Sequence, residues 1–150
     1  MASFFTLGYE GSAFKAFAGA LQANGVTLLA DVRAIAFSRK PGFSKADLQQ
    51  GLQQAGIAYL HLPLLGNPVK LGAAQGEYPE SYLQHLQTEA ARAALAALRG
   101  HIMQQKTCLM CFERDPLQCH RQYLAAALNV QGFEPQHLFV EDSSQARFLF

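Results

Sequence analysis

The sequence predicts an α/β fold, a single three-layer domain with a mostly parallel open sheet of about five strands and helices on both faces. Three observations predict it. Short apolar runs alternate with longer amphipathic stretches in the order βαβαβαβαβ. The stretches between runs are long enough to cross over a sheet and return parallel. One run, residues 26–32, is apolar almost to its end, as expected of a strand covered on both faces. With 150 residues, 50% hydrophobic and only 15% charged, the chain 1–150 has the material for one compact core, the reverse of a disordered composition.

The elements follow in order. Residues 3–7 are short and apolar enough for a first strand, interrupted by Gly8, Tyr9, Glu10 and Gly11 before Ser12 caps a helix with the stripe Phe14, Phe17, Ala18 and Leu21. Gly25 stops that helix, residues 26–32 form the second strand, and a polar, basic loop runs to Phe43. Ser44 with Asp47 three residues on resembles a capping box and opens a helix bearing Leu48, Leu52 and Ala55, closed by Gly56. Residues 57–61 are the third strand. Residues 62–78 show no period and carry Pro63, Gly66, Pro68 and Gly72, a length that suits a lid or binding loop. Pro79 then opens a long Ala- and Leu-rich helix through Leu98, ended by Gly100. Residues 106–112 form a fourth strand, 119–130 a helix and 137–140 a fifth strand.

Several function classes are excluded or disfavoured. No apolar run has the length of a membrane span and the first residues are too short and uncharged for a signal peptide, so a cytoplasmic protein with no membrane partner is expected. Three cysteines in a chain large enough to need no staples fit reduced thiols rather than a disulfide framework. A net charge of +1 does not support nucleic acid as the partner, although Arg33, Arg39, Lys40 and Lys45 make one basic loop.

The chemically unusual residues fall at the carboxyl ends of the expected strands, where open α/β sheets bind ligands. Gly8, Tyr9, Glu10 and Gly11 follow the first strand. Asp31 and Arg33, then Ser38 and Arg39, follow the second, and His61 ends the third. Cys111, Glu113 and Asp115, then Cys119, His120 and Arg121, follow the fourth. Cys119 and His120 open a helix, where unpaired N–H groups and the dipole lower a thiol's pKa and attract anions. Arg121 adds a planar fork for phosphate or carboxylate. Glu113, with His120 second, is the candidate acid or base, and Cys119 or Cys111 the candidate thiol. Asp31 next to Arg33 reads equally as a loop-fixing ion pair, and His61 as a core histidine. Gly8 and Gly11 are not spaced as G-x-G-x-x-G, so no dinucleotide cofactor is implied. Cys111, Glu113, Cys119 and His120 are zinc-ligand types, but adjacent Cys119 and His120 should point apart and no C-x₂-C or H-x₃₋₅-H pair exists, so no metal is expected.

These segments together resemble the family called domain of unknown function 488, over nearly the whole chain. The resemblance is carried by Thr6 through Gly11, Asp31-Val32-Arg33 with Ser38 through Phe43, Ile57-Ala58-Tyr59 with Leu62 through Gly66, and above all Cys111 through Pro116 with Cys119-His120-Arg121. It implies a small cytoplasmic α/β domain with these polar positions grouped, and no established reaction. The order Asp31-Val32-Arg33, Cys111, Arg121 is also similar to the layout of rhodanese and cysteine-phosphatase domains. The loop from Cys111 to Arg121 is longer than a thiolate cradle of that kind, so sulfur or phosphoryl transfer through Cys111 is not expected.

The expected function is an enzyme-like domain holding a small anionic, phosphate-containing or nucleotide-like ligand. The alternatives are a non-catalytic module binding nucleic acid or protein through loop 33–45, and a Cys/His metal-binding domain. Phe148-Leu149-Phe150 is apolar enough to dock on the core or on a second copy, which would make a homo-oligomer.

Overall fold

The structure, a computed structural model, describes residues 2–68 and 78–140. Strands β1 (Ser3–Gly8), β2 (Leu28–Asp31), β3 (Ala58–His61), β4 (Thr107–Cys111) and β5 (Glu134–Leu138) form one sheet in the order β3-β2-β4-β1-β5. Every pairing is parallel, as the long crossovers require. Five helices cover it: α1 (Phe14–Ala23), α2 (Lys45–Gln54), α3 (Glu80–Leu86), α4 (Glu89–Gln104) and α5 (Arg121–Val130). Short 3₁₀ turns lie at Pro63–Leu65 and Pro116–Gln118. No helix among the described residues is long and apolar enough to cross a membrane.

The two-residue period of the strands makes two cores. Cys108 and Met110 of β4, with Leu7 and Leu29, meet Phe17 and Leu21 of α1 and Leu48 and Leu52 of α2. Leu109 and Cys111, with Phe4 and Ala30, meet Leu95, Leu98 and Ile102 of α4 and Leu124 and Leu128 of α5. All of β2 and β4 is buried, whereas β3 and β5 are edges in which no residue is fully buried. Pro135 is tolerated in β5 because one side of an edge strand has no ladder bond to donate.

β4 lies between β2 and β1, so the chain leaving β1 runs beside the chain leaving β4. Their pairing continues past the strands: the Tyr9 N–H donates to the Cys111 carbonyl at 3.2 Å and the Glu10 N–H to the Phe112 carbonyl at 2.8 Å.

Several expectations about where elements begin and end are corrected. The single helix from Pro79 to Leu98 is two helices, because Thr88 caps α4: its Oγ1 accepts the Ala91 N–H at 3.3 Å and donates to the His85 carbonyl at 2.7 Å. α4 then runs through Gly100 to Gln104, since Ile102 continues the buried stripe of Leu95 and Leu98. Ser12 does not cap α1, and Ser44, though first before α2, makes no capping bond. Its Oγ accepts the Ser38 N–H at 3.0 Å and donates to the Ser38 carbonyl at 3.1 Å, closing the basic loop instead. β5 begins at Glu134 and ends at Leu138, not over 137–140, because it follows the register of β1. Residues 69–77 of the long loop, and Phe148-Leu149-Phe150, lie outside the described residues.

Candidate functional site

The end of β2 places a buried ion pair. Asp31 Oδ1 accepts Nε of Arg33 at 2.9 Å and the Arg33 backbone N–H at 3.1 Å; Oδ2 accepts Nη2 at 2.7 Å and the Tyr59 hydroxyl at 2.6 Å. Arg33 Nη1 donates to the Tyr9 hydroxyl at 3.2 Å and the Phe43 carbonyl at 2.7 Å, so four of its five N–H groups are used. Burial pulls the guanidinium's pKa down, but the bonds and charge of Asp31 outweigh it and hold Arg33 above its usual value. The Tyr59 hydroxyl is pushed up by burial and by Asp31. Tyr9 completes this wall, its ring stacked on Phe43 at 4.4 Å and edge-on to Phe112 at 5.3 Å. His61 Nε2 donates to the Arg33 carbonyl at 2.8 Å, a loop-fixing role away from the cleft.

The end of β4 brings the sulfurs together. Cys111 and Cys119 meet as a disulfide, which overturns the expectation of reduced thiols for these two; the third, Cys108, is a free thiol in the core. Burial raises the Cys108 pKa, as an inert structural cysteine requires. The Cys119 sulfur accepts the Arg121 N–H at 3.4 Å, so the sulfur itself occupies the start of α5 where a ligand anion was expected. The His120 ring does not diverge from Cys119: Nε2 donates to the Val32 carbonyl at 2.7 Å, and Nδ1 lies 3.6 Å from the Cys119 sulfur. A carbonyl only accepts, so this bond assigns a proton to Nε2.

Behind this wall stands Arg121, fully buried with no carboxylate partner among the described residues. Nη1 donates to Thr6 Oγ1 at 3.0 Å, and Nη2 donates to the carbonyls of Glu113 at 2.7 Å and Arg114 at 3.3 Å, while Nε has no partner. Burial lowers its pKa. Its bonds clamp the segment that carries Glu113. That segment also packs on Gly8, where a Cβ would sit 1.8 Å from the Glu113 carbonyl oxygen, and is tied by the Arg114 N–H to the Glu10 carboxylate at 3.0 Å. Gly66 has the same purpose against Ala34, whose backbone nitrogen would lie 2.2 Å from a Cβ.

A cleft of about 370 Å³ opens at this carboxyl edge. Of the residues singled out from sequence, it brings together Tyr9, Arg33, Ser38, Cys111, Glu113 and His120. Cys119 sits directly behind, bonded to Cys111. Gly8, Glu10, Asp31, His61 and Arg121 support the walls without lining them; Gly11 forms the turn after β1 with φ +77°, and Arg39 is exposed outside the cleft. Sequence reasoning missed Phe37, Phe112 and Asn67 in the lining, and Thr6 behind it. Thr6 had a readable signal, a polar residue in an otherwise buried apolar strand; exposed aromatics in loops have none.

A family model described as Domain of unknown function DUF488 matches residues 13–128. No curated protein and no solved structure matches the chain.

Proposed function

The chain belongs to the DUF488 family, and from that premise we propose an enzyme-like domain that binds a small anionic ligand, phosphate-containing or nucleotide-like, in the cleft at the carboxyl ends of β1, β2 and β4. One observation carries the reading: a single cleft with aromatic walls gathers Cys111, Glu113 and His120 from the connection between β4 and α5 against Tyr9 after β1 and Arg33 and Ser38 after β2. Phe37 and Phe112 offer faces to a planar body, and Ser38, Asn67 and the last N–H of Arg33 suit an anionic group at its end. Glu113 is the acid or base of this reading and His120 its neighbour. Cys111 supplies a thiol when the disulfide is reduced. Arg121 acts as a positioning residue through the Glu113 and Arg114 carbonyls.

Thermal unfolding against inorganic phosphate and a panel of nucleoside mono- and diphosphates tests this. The expected result is stabilisation by one class, about 2.7 kcal/mol at 100-fold excess over Kd. Phe37→Ser should remove the shift without altering the unliganded melting temperature, since Phe37 is 66% exposed. A module binding nucleic acid or protein through loop 33–45 would respond instead to neutralising Arg39 and Lys40. Stabilisation by no probe, or by all probes equally in wild type and in the Phe37 and Phe112 variants, overturns the proposal.

A further inference from the structure

We propose that, in its dithiol form, the inner wall of the cleft is a zinc site formed by Cys111, Cys119 and Glu113, with Nδ1 of His120 as the fourth donor. The two sulfurs and a carboxylate oxygen of Glu113 lie within 4.8 Å of one another, a mutual spacing that one ion can bridge. His120 stands outside that tightest group, but its Nδ1 is 3.6 Å from the Cys119 sulfur. Zinc distances of about 2.3 Å to sulfur and about 2.0 Å to nitrogen, at a tetrahedral angle, separate the two donors by about 3.5 Å.

Two further observations fit an ion there. Metal-bound histidines almost always donate their other ring N–H to a carbonyl or carboxylate, and His120 Nε2 does so to Val32 at 2.7 Å. The Arg121 N–H on the Cys119 sulfur is the outer-sphere bond expected of a ligating thiolate. Charge also closes. Two thiolates, one carboxylate and a divalent ion sum to a single negative charge, and the adjacent Arg121 is a fully buried cation with no carboxylate partner among the described residues.

The chemistry balances in two steps. A trialkylphosphine and water convert the Cys111–Cys119 disulfide to two thiols, and the phosphine becomes its oxide. Zinc then displaces the two thiol protons to solvent as both Zn–S bonds form. The site does not depend on the ligand reading, because the aromatic walls take no part in it.

The test uses the full chain, phosphine-reduced and shown to carry three thiols, titrated with Co²⁺. One equivalent should bind, with a thiolate-to-cobalt charge-transfer band and the visible bands of a tetrahedral ion, and zinc should displace it. Cys111→Ser and Cys119→Ser should each weaken binding by more than about 100-fold, beyond an outer-sphere loss. Glu113→Gln and His120→Gln should alter the visible bands, and Cys108→Ala and Phe37→Ser should leave them unchanged. Should a serine variant fail to fold, zinc must still protect Cys111 and Cys119 of the reduced wild type from alkylation. Absence of cobalt bands in the reduced protein, bands that survive Cys119→Ser, or alkylation indifferent to zinc overturns the site. Loss of nucleotide stabilisation with cobalt binding intact would sink only the ligand reading.

Discussion

Gly8 lacks a side chain because the Glu113 carbonyl occupies the place a Cβ would take, and both sides of that contact are backbone. Neither can rotate away, unlike the end of a flexible side chain. Gly8→Ala must therefore push the 113–114 segment off β1, lengthening the Arg121 bonds to its carbonyls and withdrawing Glu113 from the cleft. The expected cost is about 3 kcal/mol, at the upper end of overpacking, measured by urea denaturation. An unchanged midpoint would contradict the close approach. The same residue shows what was legible in the site. That Gly8, Asp31, Arg33, Cys111, Glu113, Cys119 and His120 collect at one edge followed from their positions after strands. Which of them face the cleft did not, because that depends on partners distant in sequence: the carbonyl of Val32 for His120, the hydroxyl of Thr6 for Arg121, and the carboxylate of Asp31, which occupies Arg33.

At the scale of elements, strands and helices were legible wherever burial imposed a period, and failed where a single side chain decided a boundary. The split between α3 and α4 is such a place. Ala and Leu on both sides favour helix, and only the choice of the Thr88 hydroxyl to cap rather than face solvent breaks it. Thr88→Ala should cost about 1 kcal/mol. Gly100, twelve residues on, should give the opposite sign: it is exposed in the interior of α4, and a Cβ added there would meet nothing within 4 Å. Gly100→Ala should thus stabilise by about 0.5–1 kcal/mol. Gly51 in α2 is the control, because its Cβ would meet the Phe14 ring at 2.5 Å and the gain in helix propensity would be offset. Equal melting shifts for the Gly100 and Gly51 variants would contradict this packing.

For the molecule as a whole, the strand order β3-β2-β4-β1-β5 was not readable from local pattern, since any buried strand reads alike, yet it decides what lies beside what. Placing β1 between β4 and β5 lets Thr6 join three elements: its Oγ1 accepts from Arg121 of α5 and is hydrogen-bonded to Nδ1 of His137 on β5. With Arg121 already donating to this oxygen, the Thr6 hydroxyl proton can serve a bare Nδ1 in the neutral His137 ring. Burial and then the charge of Arg121 hold the His137 pKa below its usual value. A depressed histidine favours the folded state in its neutral form. Its contribution is complete above the unfolded pKa of about 6.5 and is lost as pH falls through the lower folded value, because in that window the unfolded chain takes up a proton that the folded chain resists. Urea denaturation from about pH 8 to pH 5 should show stability declining on acidification in this window. His137→Gln, which keeps an acceptor for Thr6 but cannot titrate, should lose that part of the decline, and the difference between the two curves removes the other histidines from the comparison. Parallel curves would mean that the folded chain does not resist protonation of His137, and would overturn this linkage.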